Sequence, residues 1–325
     1  MAVPASLRRW FAPHAPTASI EIAADRVTGL TLARGRRAIV TSVVTERLPE
    51  GALTPTANAL NMIDRTAVGS AVGRVLKQLL GAPARVALVV PDSAAKVSLM
   101  TFEQIPVRAA DLDQLVRWQA RKTAPFRIED AQVAYSPGLL LEGGGRELVV
   151  SLMRRDIIEE YEAVCGAGGG HAGVVDLASF GLVNAVLAGC SDDDRDWLLV
   201  HVARGYSTIA VVRQGQLILF RNRSAEGDGN LADLVHQTTM YYEDRLSGTG
   251  FGRVFMAASA ANTTLEDAAL LRRSLETRLG TVVEPIDLGV PEAKGKTIAG
   301  VPPDLMAAPL GLLMRERRSA ETGNR

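Results

Sequence analysis

The residues that most suggest chemistry lie where an apolar strand ends in an Ala-Arg-Gly turn and the chain returns as a second strand. Gly205, Ser207 and Thr208 bring backbone amides and hydroxyl groups to this turn, and such donors could hold an anion. A turn that binds magnesium phosphate also needs a carboxylate for the metal and a glycine that lets the backbone approach the phosphate. His201 and Ala203 stand at those two positions. The segment is therefore either a phosphate turn or the remains of one.

A second copy of this pattern lies earlier in the chain, at a constant offset of 180 positions. The two copies align three pairs of turn residues: Glu21 with His201, Ala23 with Ala203, and Asp25 with Gly205. Each copy continues into further strands separated by short turns, which predicts a three-stranded meander in both places. We expect two lobes built on one plan; chance similarity between short β-segments is the alternative.

The composition indicates a globular protein with room for two domains, since the chain has 325 residues, 47% of them hydrophobic and 22% charged. Because 36 basic residues balance 36 acidic ones, net charge gives no reason to expect nucleic acid as a partner. Cys165 and Cys190 lie far apart without a Cys-x-x-Cys motif, so we predict neither a disulfide framework nor a zinc site. A reducing cytoplasm fits this cysteine usage best.

The N-terminal segment 1–17 is predicted to be a tail outside both lobes. It lacks the apolar core and the cleavage site of a signal peptide. Trp10 and Phe11, beside two arginines, could form a small membrane-surface foot, but a frayed terminus with an aromatic ring against the body is the favoured interpretation. No apolar run in the chain reaches the roughly 18–20 residues that span a bilayer.

Other candidate sites are excluded by their spacing. The glycine-rich run at 166–171 follows a predicted helix and lacks the Gly-Lys-Ser/Thr ending of a P-loop, so we expect a helix-to-strand link there. The run at 142–147 is predicted to be a hairpin turn. The four histidines have no metal-ligand spacing, and His201 is expected to be a buried strand histidine. With no serine-hydrolase elbow and no paired acids at a strand end, we predict no catalytic residue and no metal site.

The remaining pattern mixes helices and strands. Helical spacing and end signals predict helices at 65–80, 111–122, 156–164, 230–246, 265–279 and 305–318. Strands are predicted at 84–92, 95–106, 130–141, 146–154 and 253–259. The segment 174–189 begins as a strand and becomes a helix, with Asp176 or Ser179 as cap candidates.

Four features of the sequence together form a recognisable pattern. The most specific is 89–135, with a strand, a proline, an acidic helix start, Arg-Trp in the helix, then Pro-Phe and a strand ending in Tyr. The others are "GVVDLASFGLVNAV" at 173–186, the pair of meanders, and "MAAPLGLLMRE" at 306–316. Together they cover most of the chain, and in kind and order they resemble the type IV pilus assembly protein PilM family of the actin-like ATPase superfamily, which is related to FtsA.

The resemblance implies an α/β fold: a duplicated, ribonuclease H-like pair of lobes with a small α+β subdomain inserted in the first. The boundaries it suggests are a first lobe at 18–195, with the insert at about 83–170, and a second lobe with the C-terminal helix at 196–318. Residues 319–325 are expected to form a loose tail.

The superfamily binds ATP and magnesium with two Asp-x-Gly turns and a Gly-Gly turn, and this sequence departs from all three. Glu21 and Ala23 occupy the first turn, His201 and Ala203 the second, and the adenosine position at 256–260 has no Gly-Gly. Glu21 could still reach a metal, but histidine is a poor ligand for magnesium. We therefore expect a pseudo-ATPase without a tightly bound cofactor, in which weak ATP–magnesium binding is the most that persists.

By the same resemblance, the expected partner is a PilN-like inner-membrane protein, whose short cytoplasmic N-terminal peptide lies in a groove between the first lobe and its insert. Trp118, Pro125 and Phe126 are guesses for residues bordering that surface, although Trp118 lies beside the apolar face of its helix, which favours a core position. Strand addition along an exposed sheet edge is another way to hold a peptide. The chain would then be a cytoplasmic scaffold, peripheral at the inner membrane through its partners and in contact with other pilus or secretion components. A homo-oligomer is a further open alternative.

Two other classes of function stay open. A working ATPase or a sugar-kinase-like phosphotransferase would need a catalytic carboxylate in the cleft, and Asp176 is the candidate, although it resembles a structural strand-end acid. An FtsA-like membrane-tethered polymer is weakly suggested by the arginines at 315–318, but the polar end of the chain does not form an apolar anchor.

Overall fold

The computed structural model describes residues 15–322, except for 34, 36–37, 81–83, 142, 190–194, 226–230, 259–264 and 289–300. The first lobe contains a five-stranded sheet in the order β3-β2-β1-β4-β8. Its strands are β1 (Ala18–Ile22), β2 (Arg26–Leu32), β3 (Val40–Arg47), β4 (Ala84–Val90) and β8 (Gly170–Leu177). The first three form an antiparallel meander, whereas β4 and β8 run parallel to β1.

The second lobe repeats this sheet with the order β11-β10-β9-β12-β13. Its strands are β9 (Trp197–Ala203), β10 (Tyr206–Arg213), β11 (Gln216–Ser224), β12 (Arg253–Ala258) and β13 (Val283–Pro285). Even the register is duplicated, because Glu21 pairs with Thr28 in the first lobe and His201 pairs with Thr208 in the second. The predicted repeat and both meanders are confirmed.

Helices pack on the two sheets. They are α1 (Arg65–Leu80), α3 (Arg155–Ala167), α4 (Ala178–Gly189), α5 (Leu231–Arg245), α6 (Leu265–Leu279) and α7 (Pro303–Thr322). In α1 the buried Val68, Ala71, Val72 and Val75 recur at helical spacing, and this face packs on β2 and β3. No helix among the described residues is long and apolar enough to cross a membrane.

The inserted subdomain is a separate three-stranded antiparallel sheet with one covering helix. Its elements are β5 (Lys96–Phe102), α2 (Ala109–Ala120), β6 (Ala131–Leu140) and β7 (Arg146–Arg154), and the strand order is β5-β7-β6. Alternate residues such as Val133 and Leu152 share a core cluster with Val116 and Ala120 of α2. The insert is therefore narrower than the predicted 83–170, since β4 belongs to the first-lobe sheet and α3 packs on β8.

The C-terminal helix also differs from its prediction. We expected α7 to end at Arg318 within a unit that begins at 196, but it continues to Thr322 and packs on β1, β2 and β4 of the first lobe. The reason is its apolar face, because the buried Ala307, Leu310 and Leu313 share a core cluster with first-lobe residues such as Ile20, and this cluster also extends into the second lobe. Of the predicted tails, residues 1–14, with Trp10 and Phe11, and residues 323–325 lie outside the described residues.

The two helices α4 and α7 cross with almost no space between their backbones. A Cβ atom added at Gly181 would lie 2.3 Å from the carbonyl oxygen of Ala308. One added at Gly311 would lie 1.9 Å from the carbonyl oxygen of Gly181. Because α4 lies near the middle of the chain and α7 near its end, this crossing joins the end of the chain to its middle. Only glycine at both positions allows the approach.

Replacing Gly181 with alanine should therefore destabilise the fold. The added methyl group meets backbone rather than a movable side chain, so we expect a loss of about 2–3 kcal/mol in the free energy of unfolding. Urea denaturation at equilibrium measures it. Gly69→Ala is the matched control, because Gly69 is also helical and a Cβ there meets nothing within 4 Å. If both variants were as stable as the wild type, the tight crossing would be wrong.

Candidate functional site

The two turns singled out by the sequence face one cavity between the lobes. Its volume is about 470 Å³, and its lining includes Asp25 from the β1–β2 turn and Gly205 from the β9–β10 turn. Gly205 has a positive φ of 86°, which favours glycine. Arg204 of the second lobe reaches Glu50 of the first across this cavity. The other predicted turn residues, Glu21, Ala23, His201, Ala203, Ser207 and Thr208, do not line it.

In the first turn, both acids are already paired with a cation. Nη2 of Arg26 lies 2.9 Å from Oε2 of Glu21, and its Nη1 lies 3.1 Å from Oδ1 of Asp25. All three side chains are buried. A buried carboxylate pair needs compensating charge, and here the chain itself supplies it. Arg26 was not among the site residues predicted from the sequence, although a basic residue directly after Asp25 indicates a possible partner for that acid.

In the second turn, His201 belongs to a buried polar network around Asp92, which directly follows Pro91 at the end of β4. The carboxylate of Asp92 accepts hydrogen bonds from the backbone N–H of Ser179 at 2.9 Å, from the Ser179 hydroxyl, and from the Thr208 hydroxyl at 2.6 Å. Nδ1 of His201 lies 2.9 Å from Oγ of Ser179 and 3.5 Å from Oδ2 of Asp92. All four side chains are buried.

The hydrogen bonds around Asp92 determine which atom donates and which accepts in each pair. The only proton of the Ser179 hydroxyl goes to Asp92, so His201 must carry a proton on Nδ1 and donate it to Ser179 Oγ. On the other side, Asn222 Nδ2 donates to Thr208 Oγ1 at 2.9 Å, and Ser93 Oγ donates to Asn222 Oδ1 at 3.0 Å. The chain of bonds connects β4 and α4 of the first lobe with β9, β10 and β11 of the second.

The charge on Asp92 is stabilised in spite of its burial. Burial alone would raise the pKa of Asp92, but the nearby Nδ1–H of His201, 3.5 Å away, and the hydrogen bonds of Ser179 outweigh it, so the pKa lies below its usual value. Asp92 was not among the site residues predicted from the sequence, and Ser179 was predicted only as a helix-cap candidate. A Pro-Asp pair directly after a buried strand that neighbours β1 was the available signal.

Asp176, the candidate carboxylate of a phosphotransferase, is held by α7. It lies in β8 and pairs with Arg315, and its Oδ1 also accepts the Leu177 N–H at 2.8 Å. Burial raises the pKa of Asp176, although the charge of Arg315 opposes that shift. This arrangement matches the structural strand-end acid that the sequence suggested.

The adenosine position begins at the end of β12, where Met256 and Ala257 are buried. The N–H of Ala258 donates to Oδ2 of Asp304 at the start of α7, at 3.0 Å. Ala260, the last residue of the predicted position, lies outside the described residues. Among the described residues, no group of three or more His, Cys, Asp or Glu side chains could hold a metal ion.

A second cavity, of about 490 Å³, forms a groove between the first lobe and the insert. We call it the β8 groove. Its lining comes from β8, from α3, and from the insert face opposite α2: Gln132, Ala134, Ser151 and Met153 on the sheet, Arg155, Ile158, Glu159 and Glu162 on α3, and 172–177 on β8. Because side chains alternate along a strand, the residues that face the groove are those between the ones that pack on α2.

The strand at this groove has a free edge. In the described part of the chain, β8 pairs with β4 on one side and with no strand on the other. Its side chains from Ala172 to Asp176 are half-buried. The groove therefore presents an unpaired strand edge with an apolar floor, the arrangement that accepts an extended peptide.

The three guessed partner residues lie elsewhere. Trp118, Pro125 and Phe126 do not line the β8 groove. Phe126 packs on the insert core, and Pro125 is exposed. Trp118 is 60% exposed and lies under the ammonium group of Lys122, 4.4 Å from the ring centroid, so the core position favoured for it is wrong. The error arose because Trp118 only borders the apolar stripe of α2.

The Asp92 network should give the protein a defined acid sensitivity. Because the folded pKa of Asp92 is lowered, its stabilising contribution is complete above the unfolded pKa of about 3.9 and is lost as the pH falls below it. We expect Asp92→Asn to lower the free energy of unfolding by about 2–4 kcal/mol at neutral pH. The difference from wild type should shrink below about pH 4.

Denaturation curves between pH 3 and pH 7 measure this difference. Asp244→Asn, at an exposed aspartate of α5, is the control and should leave the stability near that of the wild type. A wild-type minus Asp92→Asn difference that stays constant down to pH 3 would contradict the assigned network.

Comparison with known proteins places the chain in a family. The sequence profile of the family described as type IV pilus assembly protein PilM matches residues 19–245, more than half of the chain. A search of curated protein sequences finds no match. Among solved structures, the fold is similar to a PilM–PilN type IV pilus biogenesis complex, with a TM-score of 0.77, 16% identity, and coverage of 94% of this chain and 99% of that one.

A Bacteroides thetaiotaomicron protein with an actin-like ATPase fold and unknown function is also similar, with a TM-score of 0.51, 10% identity, and coverage of 90% of this chain and 94% of that one. At these identities, the structural matches establish the fold, which is the two-lobed actin-like fold that the duplicated sheets also indicate. The profile match establishes the relationship. The chain belongs to the type IV pilus assembly protein PilM family.

Proposed function

We propose that this protein is a scaffold of a type IV pilus or a related secretion machine, and that it recruits a PilN-like inner-membrane protein by binding its cytoplasmic N-terminal peptide in the β8 groove. The observation that carries the proposal is the free edge of β8 beside a cavity of about 490 Å³. The similarity to a PilM–PilN complex supports a partner of this kind. Recruitment would hold the protein at the inner membrane and beside the other components of the machine.

The groove suits an extended chain better than a helix or a small molecule. The eight residues of β8 provide an edge of about 25 Å, at about 3.3 Å per residue. Main-chain hydrogen bonds along such an edge give affinity without requiring a particular sequence, and side chains on alternate positions provide selectivity. Apolar groups such as Met153, Ile158 and Val174 would receive one set of these side chains.

We propose in addition that the interlobe cleft does not turn over ATP. The carboxylates of Glu21 and Asp25 are occupied by Arg26, and Nδ1 of His201 is occupied by Ser179. Ala23 and Ala203 carry methyl groups at the positions where glycine would let the backbone close on phosphate. These residues do not fit a magnesium–phosphate group, because both acids of the first turn are already paired with Arg26 and the second turn has a histidine in place of an acid.

Blocking the groove should abolish partner binding. In Ala134→Trp, an exposed alanine of the insert sheet gains a side chain large enough to fill the space beside β8. We expect the affinity for the cytoplasmic N-terminal peptide of a PilN-like protein from the same organism to fall at least about tenfold, since a strand can no longer lie along the edge. Fluorescence anisotropy with the labelled peptide measures it.

Ala110→Trp, on the exposed start of α2, is the matched control and should bind as the wild type does. Equal binding by wild type and Ala134→Trp would place the partner site outside the β8 groove.

The internal pairing of the turn residues leads to a second prediction, which concerns ATP binding. Calorimetry with magnesium and ATP should detect no micromolar binding, and phosphate release should not exceed that of buffer, because the acids of the first turn are neutralised internally. Arg26→Ala, which frees both acids, tests that reason and should bind divalent metal more tightly than the wild type. Micromolar ATP binding with phosphate release by the wild type would overturn the pseudo-ATPase proposal.

A further inference from the structure

We infer that the β8 groove selects a peptide with a basic side chain, and that Glu159 and Glu162 of α3 are the residues that recognise it. This inference rests on the proposed function of the groove and specifies the chemistry of its occupant. An extended peptide with apolar residues on one side and a lysine or arginine facing α3 is the partner that fits.

The charged groups of the groove are not equivalent. The guanidinium of Arg155 donates to the backbone oxygen of Glu129 at 3.1 Å, and Asp176 is paired with Arg315. Glu159 and Glu162 are exposed, and in the described part of the chain neither has a hydrogen bond or an ion pair. The groove wall therefore carries two exposed negative charges without an ion-pair partner and the positive charge of Arg155, so its net charge is negative.

The two glutamates act together because of their spacing. Residues three apart on a helix lie on one face, with Cβ atoms about 5–6 Å apart, so a single ammonium or guanidinium group could contact both carboxylates. An arginine would add geometric selectivity through its fork of donors.

The other residues that line the groove determine which side of the bound peptide carries the basic residue. The insert face offers Ala134, Ser151 and Met153, and β8 offers Val174, none of which compensates a charge. A strand added to β8 would direct alternate side chains towards α3. The basic residue must therefore be on the α3 side of the peptide, with apolar or small residues at the neighbouring positions.

Three labelled synthetic peptides of eight residues test the inference, with leucine alternating with lysine, glutamine or glutamate. Anisotropy titrations use the full chain at low salt. We expect the lysine peptide to bind most tightly and the glutamate peptide least tightly. The double variant Glu159→Gln/Glu162→Gln should bind the lysine peptide about three- to tenfold more weakly, while its affinity for the glutamine peptide stays unchanged.

Two controls separate this effect from general attraction between opposite charges. Glu103→Gln removes an exposed acid of the insert outside the groove and should leave all affinities unchanged. Ala134→Trp should block every peptide. The preference for lysine should also decrease at high salt, because partly exposed pairs are screened.

Equal affinity of wild type for the lysine and glutamine peptides, or a double variant that keeps the preference, would overturn the inference and leave peptide binding in the groove intact. Binding of the lysine peptide that survives Ala134→Trp would overturn it as well. If the natural partner peptide also fails to bind, the proposed function fails with it, so the two failures are distinguishable.

Discussion

The carboxylate of Asp92 is buried where β4, the start of α4 and the second-lobe meander meet, and the arrangement of the lobes depends on how it is satisfied. A charge without solvent or partners would be several kcal/mol too costly to keep. Ser179 fixes where α4 begins, and Thr208 and His201 bring the second sheet against the first lobe. The tight crossing of α4 with α7 follows, because the position of α4 is then set.

The need to satisfy buried polar groups also limits which ligands the cavity between the lobes can bind. In a cleft that binds nucleotide, polar groups at the turns must be available to the ligand. Here they are bonded to one another, with Asp92 at the centre of one set and Arg26 at the centre of the other. A ligand that competed for these groups would have to break hydrogen bonds to buried charges, each worth about 1.5–3 kcal/mol. The polar groups of the duplicated turns thus stabilise the interior of the protein.

Local patterns predicted the sheets well because each meander is continuous in sequence. The register of Glu21 with Thr28 and of His201 with Thr208 follows from short turns and alternation alone. The strand β13 escaped prediction because three residues carry no periodic signal. The partners of Asp92 were not predictable, because Ser179 and Thr208 lie far along the chain and only the fold brings them together. For the β8 groove, the resemblance indicated a groove between the first lobe and its insert, but not its lining residues, which come from several elements that only the fold brings together.

Peptide binding in the β8 groove and nucleotide binding between the lobes would require different amounts of movement in the protein. The strand β8 pairs with β4 along its length. An ion pair between Asp176 and Arg315 of α7 and the burial of Leu177 fix its position further. A peptide that adds to its free edge would meet a surface that is already in place, so little binding free energy is lost to ordering the site. Lobe closure driven by nucleotide, in contrast, would have to act through the network around Asp92. The preformed edge of β8 and the internal bonding of the turn residues both support the proposed role, in which the protein holds a partner continuously rather than releasing it in a nucleotide cycle.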